Sequence, residues 1–305
     1  MLFAPHILIS FHFICFPLFA SNFVCFFLLL RVFFSGYIGV EEPTLIPGVF
    51  GIDADWYFIT NNLDLSPLAT EQGWKVIYLS DIEQKNSADS VDNSIYNSRE
   101  SKKLKVFPQI YLESFGANYD FIIWQDNRFN IKYEDNIYPR LKNWNPKIAL
   151  SMSRRIIDCC SPYVEFENAM LQPRYARSKE KIWDYMQTQI AEGWKDQNVD
   201  AYATGFIIYN MHHSHTRDIQ NMWYDHIKMV GELLCQIAFY FVVQRWSQYF
   251  QLFDDEWTYG RRSIKYNNGL RHEAHLFGDR EYNEFYNLQQ SLRLKEGKKP
   301  AECVN

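Results

Sequence analysis

The first 30 residues of this chain contain no Lys, Arg, Asp or Glu, although the 305 residues together carry 31 basic and 36 acidic side chains. An uncharged segment of this length, rich in Phe and Leu, is typical of a transmembrane helix or signal anchor. The segment also lacks a basic n-region and a small-residue cleavage motif, and His6, His12 and Pro17 interrupt it. Arg31 on its C-terminal side favours a cytosolic position for the rest of the chain.

The end of this apolar segment has a second interpretation. Residues 28–37 have the pattern of a buried strand that runs into a glycine turn at Gly36, which would suit the first strand of an α/β sheet. In that case only residues 1–27 remain for a membrane anchor, with no stem before the folded domain. A third interpretation makes them an upstream extension. We expect membrane association if residues 1–27 are an anchor, and a cytoplasmic protein otherwise.

Several other features are missing, and each excludes a class of protein. The chain has no CxxC pair and no HExxH helix, which argues against the common zinc sites. A disulfide framework is not expected in a chain of this size. The net charge is −5 and the basic residues are scattered, so we expect no nucleic-acid partner. The six cysteines are Cys15, Cys25, Cys159, Cys160, Cys235 and Cys303.

Short apolar runs alternate with helical stretches along the chain, which predicts a three-layer α/β sandwich with a mostly parallel central sheet and a helical C-terminal part. Residues 28–278 are expected to form one domain, followed by a charged tail at 279–305. The polar residues 81–98 are predicted to form a surface loop. The predicted strands are 56–60, 74–79, 121–124 and 203–210, and the predicted helices are 98–114 with a break at Pro108, 165–190 with a break near Pro173, 216–230 and 233–249.

The strand at 121–124 is followed at once by Gln125, Asp126, Asn127 and Arg128. Ligands of open α/β sheets bind beyond the carboxyl ends of the strands. A carboxylate there can hold a divalent cation, which in turn can neutralise a diphosphate. On this segment alone, a strand followed by a polar turn is the simpler interpretation.

The order of these pieces resembles the domain of unknown function 616 family, a glycosyltransferase-like family of plants, bacteria and large viruses. The similarity spans roughly residues 30–250 and rests on a shared order of weak elements. In chain order these are Ser35-Gly36-Tyr37 with Glu42-Pro43, Tyr57-Phe58-Ile59-Thr60-Asn61-Asn62, Trp74-Lys75-Val76, Arg99-Glu100-Ser101-Lys102, Ile123-Trp124-Gln125-Asp126-Asn127, Ser153-Arg154-Arg155, Gln189-Ile190-Ala191-Glu192-Gly193, Trp223-Tyr224-Asp225-His226-Ile227 and Cys235-Gln236-Ile237-Ala238-Phe239.

The resemblance implies a GT-A-type glycosyltransferase, which moves a sugar from a nucleotide-sugar donor, a UDP-sugar above all, to a glycan or other hydroxyl acceptor. It implies Mn²⁺ or Mg²⁺ as the cofactor, with Asp126 as a metal ligand and a late histidine, His212 or His275, to complete the site. Loop histidines are, however, more often surface residues. Catalytic roles are expected for Asp126, Glu232 and Gln236, and donor binding for Thr60, Asn61, Arg99, Lys102, Trp124, Asn127, Arg155 and Gln189.

Two departures from the family pattern weigh against activity. Asn127 replaces the usual glycine after Asp126, and Cys235 replaces an aspartate before Gln236. A thiol does not act as a carboxylate base at neutral pH without a strong shift of its pKa, although Glu232 could substitute. A catalytically weakened relative that binds nucleotide or glycan without turnover is therefore the second hypothesis. An anchored structural protein, suggested only by residues 1–27, is the third.

Overall fold

A computed structural model describes residues 30–40, 54–86, 89–113, 118–126, 137–154, 162–170, 173–194, 202–231 and 234–253. The apolar segment 1–27 and the tail 279–305 lie outside these ranges. No helix of the described residues is both long enough and apolar enough for a membrane span.

One seven-stranded sheet forms the centre of the molecule, with the strand order β3-β2-β1-β4-β6-β5-β7. Among the strands of the described residues, only β6 runs antiparallel to its neighbours, and every other pair of adjacent strands is parallel. The strands are β1 (Arg31–Tyr37), β2 (Asp55–Thr60), β3 (Lys75–Tyr78), β4 (Phe121–Gln125), β5 (Leu150–Arg154), β6 (Tyr202–Asn210) and β7 (Phe250–Phe253).

Helices cover both faces of the sheet, because strands buried on both sides need an apolar layer on each. The helices are α1 (Ser66–Glu71), α2 (Val91–Val106), α3 (Pro108–Glu113), α4 (Ile137–Lys142), α5 (Pro162–Ala169), α6 (Pro173–Ala176), α7 (Lys179–Ala191), α8 (Thr216–Met229) and α9 (Cys235–Trp246). Ala69 of α1 and Leu141 of α4 pack with Phe33 on one face, whereas Leu104 of α2 and Trp223 of α8 pack with Phe34 on the other. The predicted three-layer α/β fold with a mostly parallel sheet and a helical C-terminal part is confirmed.

The predicted strands are confirmed to within two residues at their ends, and the strand interpretation of residues 31–37 holds. β1 lies in the interior of the sheet between β2 and β4, and its residues Val32, Phe33 and Phe34 are fully buried. Residues Arg31–Tyr37 therefore belong to the central sheet.

The start of the helix before β4 was predicted seven residues too late. Helix α2 begins at Val91, inside the stretch predicted as a loop, because the Ser90 hydroxyl accepts a hydrogen bond from the Asn93 N–H and caps the helix. Polar residues that indicate a loop by composition here form a helix N-terminus. Pro108 ends α2 as predicted and starts α3.

Candidate active site

The strand order creates a crevice at the carboxyl ends of β1 and β4. The chain adds β2 and then β3 on one side of β1 and returns to place β4 on the other side. The strand order therefore reverses between β1 and β4, and ligands of α/β sheets bind beyond the carboxyl ends of the strands where such a reversal occurs. Asp126 directly follows β4 at this point.

Asp126 is positioned by its place at the end of β4 and, among the described residues, by three hydrogen bonds. Its side chain follows Ile122 and Trp124 at intervals of two residues, which directs it to the face of the sheet that α2 covers. Its backbone N–H donates to the Gly205 carbonyl at 2.7 Å, and the Trp124 indole N–H donates to Oδ1 at 2.8 Å. The third hydrogen bond comes from Lys105.

Lys105 lies in the last turn of α2, and its Nζ is 2.7 Å from Oδ1 of Asp126. The ammonium group also lies 5.7 Å from the centre of the Trp124 ring. Both partners of this ion pair are largely buried, with side-chain exposures of 6% for Lys105 and 14% for Asp126. The Lys105 carbonyl accepts a hydrogen bond from the hydroxyl of Tyr209 at 2.8 Å, which ties the end of α2 to β6.

Cys235 lies beside this ion pair at the first residue of α9. Burial raises the pKa of its thiol, but Lys102, Lys105 and a contact of 3.5 Å with the Thr204 hydroxyl lower it more, so that its pKa lies below the usual value. Asp126 acts in the opposite direction. The structure therefore brings Lys102, Lys105, Trp124, Asp126 and Cys235 together in one place.

Thr60 and Asn61, predicted as donor ligands, form hydrogen bonds within the protein. Both are fully buried at the end of β2. The Thr60 hydroxyl accepts from the Asn62 N–H, whereas Asn61 Oδ1 accepts from the Gly39 N–H and Asn61 Nδ2 donates to the Glu83 carbonyl. Their polar atoms thus join the loops after β1 and β3, and neither side chain is open to a ligand.

Other predicted donor ligands lie on the surrounding helices. Arg99, one turn before Lys102, pairs with Glu100 at 3.1 Å and lies 5.2 Å from the Tyr96 ring. Gln236 is half-buried next to Cys235 in the first turn of α9. Gln189 is buried on α7, a helix whose Tyr185 packs on α8 and α9, and no contact among the described residues joins it to Asp126.

His212 lies at the wrong end of the sheet for the predicted metal site. Its ring pairs with Asp120, which precedes β4, whereas Asp126 follows the same strand. Six residues of extended chain separate the two carboxylates by about 20 Å. His212 therefore cannot share a cation with Asp126. Glu232, Asn127, Arg155 and His275, which also carry predicted roles, lie outside the described residues.

The described residues do not fit a divalent cation. No group of three or more His, Cys, Asp or Glu side chains within them is arranged to hold a metal. One carboxylate oxygen of Asp126, Oδ1, already accepts hydrogen bonds from the Lys105 ammonium and the Trp124 indole. A cation bound to the same oxygen would face an ammonium group at close range.

Comparisons with known proteins find similar structures but no family. No protein-family model matches the chain, and no curated protein matches it. Mouse xyloside xylosyltransferase 1 is 10% identical, with a TM-score of 0.40 over 75% of this chain and 86% of that protein. Galactosyltransferase LgtC, solved with donor and acceptor sugar analogues, is 11% identical, with a TM-score of 0.39 over 74% of each chain. Glycosyltransferase GlyE of Streptococcus pneumoniae is 10% identical, with a TM-score of 0.37, and the match covers 82% of this chain and 51% of that one.

Likenesses this distant say nothing about substrate or reaction, so the site has to be judged by its own residues. Lys105 is the central residue that the sequence did not single out. Two spacings could have identified it: Lys102 and Lys105 share a helix face at i,i+3, and Ile122, Trp124 and Asp126 share a strand face. The sequence alone does not show that this face of α2 packs on this face of β4.

Proposed function

We propose that this chain is a glycosyltransferase, which moves a sugar from a nucleotide-sugar donor to a hydroxyl group of a glycan or other acceptor. The observation that carries the proposal is the cluster of Lys102, Lys105 and Asp126 at the carboxyl ends of β1 and β4. Membership of the domain of unknown function 616 family, with a UDP-sugar as the first donor to test, is part of the same proposal and is supported by the ordered sequence elements.

The chemistry of the reaction explains why two lysines suit this position. The bond between the anomeric carbon and the phosphate oxygen breaks, and the diphosphate leaves with the electron pair. The acceptor oxygen bonds to the same carbon and gives up its proton to a base, the role predicted for Glu232. Ammonium groups at the leaving oxygen stabilise its charge through charge-assisted hydrogen bonds. Lys102 and Lys105 supply such groups, and Asp126 holds Lys105 in position.

The other parts of the site have supporting roles in this proposal. Gln236 follows Cys235 in the first turn of α9, and in this proposal its amide bonds a hydroxyl of the donor sugar. The Mn²⁺ or Mg²⁺ implied by the family resemblance forms no part of the mechanism, because the described residues do not fit a divalent cation.

A donor panel tests the proposal. The protein is incubated with nucleotide sugars of different bases and sugars, with and without Mn²⁺, and the release of nucleoside diphosphate is measured. We expect release with at least one donor and a drop of about tenfold or more in kcat/KM for Lys102→Ala. Lys103→Ala, a neighbouring residue on a different side of α2, serves as the control and should retain activity. Binding without turnover across the whole panel would overturn the transferase function.

Cys235 favours one second candidate, a relative that binds a nucleotide sugar without turnover. The thiol occupies the position of the aspartate that the resemblance expects, and it is buried beside both lysines. If the absence of a carboxylate at this position limits catalysis, Cys235→Asp should raise turnover by about tenfold or more. The matched variant Cys235→Ser should not. Equal turnover of the two variants would count against a role for the missing carboxylate.

A further inference from the structure

We propose that the ammonium group of Lys105 occupies the place of a divalent cation, so that this site binds a nucleoside diphosphate without any metal. The inference rests on the proposed function and specifies how its site neutralises the charge of the donor. It starts from the disagreement between the cofactor that the resemblance implies and the side chains that surround Asp126.

One oxygen of the carboxylate that was expected to hold the metal is already occupied. Oδ1 of Asp126 accepts the Lys105 ammonium at 2.7 Å and the Trp124 indole N–H at 2.8 Å. These are distances of a charge-assisted and an ordinary hydrogen bond. A divalent cation on the same oxygen would require Lys105 to withdraw, because the two positive charges repel each other strongly in a partly buried position.

Lys105 is poorly able to withdraw. The residue is only 4% exposed, and the hydroxyl of Tyr209 holds its carbonyl in place at 2.8 Å. The pKa of Tyr209 is raised well above its ordinary value by burial, Cys235 and Asp126, so this hydroxyl keeps its proton and remains a donor. An ammonium group moved away from Asp126 would be left in an apolar layer without its anionic partner.

The remaining charge of the cluster suits an anion. Lys102 forms no ion pair among the described residues, and Cys235 contributes a thiol where a carboxylate is expected. Among the described residues the cluster therefore contains two ammonium groups and one carboxylate, which leaves an excess of positive charge. A diphosphate can bond to Lys102 and to the outer hydrogens of the Lys105 ammonium while Asp126 keeps its own hydrogen bond.

Binding of UDP by the full chain tests this inference. The dissociation constant is measured by calorimetry in EDTA and again in excess Mn²⁺, for the wild-type protein, Lys105→Ala and the control Lys103→Ala. We expect wild-type and Lys103→Ala constants that agree within about twofold between the two buffers. For Lys105→Ala we expect binding weakened by about tenfold or more in EDTA and partly restored by Mn²⁺, which can now reach Asp126.

The two buffers keep the inference separate from the function on which it rests. Wild-type binding that is lost in EDTA and regained with Mn²⁺ would overturn the inference and leave the transferase proposal intact. If no nucleoside diphosphate binds in either buffer, both fail. The wild-type comparison requires no variant, so it decides the matter even if Lys105→Ala does not fold.

Discussion

The ion pair between Lys105 and Asp126 is a structural element as well as a part of the candidate site. Both side chains are largely removed from water, and each is the partner that makes the burial of the other tolerable. A buried pair of this kind contributes little net stability compared with apolar residues, but removal of one partner leaves an uncompensated charge. The pair therefore makes the fold depend on two residues that function also needs.

Asp126→Asn should lower the free energy of unfolding by about 3 kcal/mol, because the Lys105 ammonium stays buried beside a neutral amide. Urea denaturation at neutral pH measures this change. The matched control is Asp225→Asn, which breaks the exposed pair of Asp225 with Lys228 at 2.6 Å and should cost about 0.5 kcal/mol or less. Equal effects of the two substitutions would mean that Asp126 and Lys105 are more hydrated than the structure indicates.

Helix α2 can pack closely on β1 because the residue of β1 that it covers is a glycine. Gly36 lies near the carboxyl end of β1, and Leu104 of α2 packs over it. A Cβ at this position would lie 2.6 Å from the Ile59 carbonyl oxygen and 3.1 Å from Cδ1 of Leu104. Leu104 lies between Lys102 and Lys105 in the sequence. The close packing of Leu104 on Gly36 therefore determines how far both lysines lie from Asp126.

Gly36→Ala should destabilise the protein by about 1–3 kcal/mol, because backbone and a buried leucine have to shift to make room for one methyl group. It should also weaken nucleotide binding, since α2 moves with Leu104. Thermal unfolding and UDP titration measure the two effects.

Gly193→Ala is the comparison for this prediction. A Cβ at Gly193 meets nothing within 4 Å, but its φ of +101° is unfavourable for alanine, so a loss of about 1 kcal/mol is expected without any effect on nucleotide binding. A Gly36→Ala variant that binds UDP as tightly as the wild type would show that α2 does not position the lysines.

The helices and strands could be predicted well from the sequence, whereas the strand order and the packing between elements could not. Apolar runs such as 121–124 and 203–210 mark strands because both faces of a central strand are buried. The sequence also singles out Asp126, Lys102 and Cys235, which the structure brings together. It assigns ligand roles to Asn61, which bonds to the backbone, and to His212, which pairs with Asp120. A polar residue after a strand can make either kind of contact, at either end of the sheet. Only the strand order distinguishes these cases.

The two ends of the sheet have different chemistry, which gives the whole molecule a predictable response to pH. The candidate site at the carboxyl end of β4 contains lysines and a carboxylate, whereas His213 lies at the opposite end and His226 near the end of α8. Burial and the neighbouring His215 lower the pKa of His213, against a raising effect of the Lys147 backbone. Burial and Arg245 lower the pKa of His226, against the raising effects of Glu192 and Asp225.

The free energy of unfolding should therefore fall as the pH decreases through about 6.5, the ordinary pKa of histidine. With folded-state pKa values below those of the unfolded chain, the unfolded state binds more protons in this range, so stability is complete above it and is lost as the pH falls. The Tyr185 hydroxyl lies 2.7 Å from Nδ1 of His226, and burial raises its pKa, so it keeps the proton that it can donate to the neutral ring. Urea denaturation between about pH 7.5 and pH 5 should show a shallower decline of the free energy of unfolding for His226→Gln than for the wild type.

Met229→Gln, at an exposed position on the same helix, is the control and should keep the wild-type slope. An unchanged slope in His226→Gln would mean that this histidine is not buried in its neutral form.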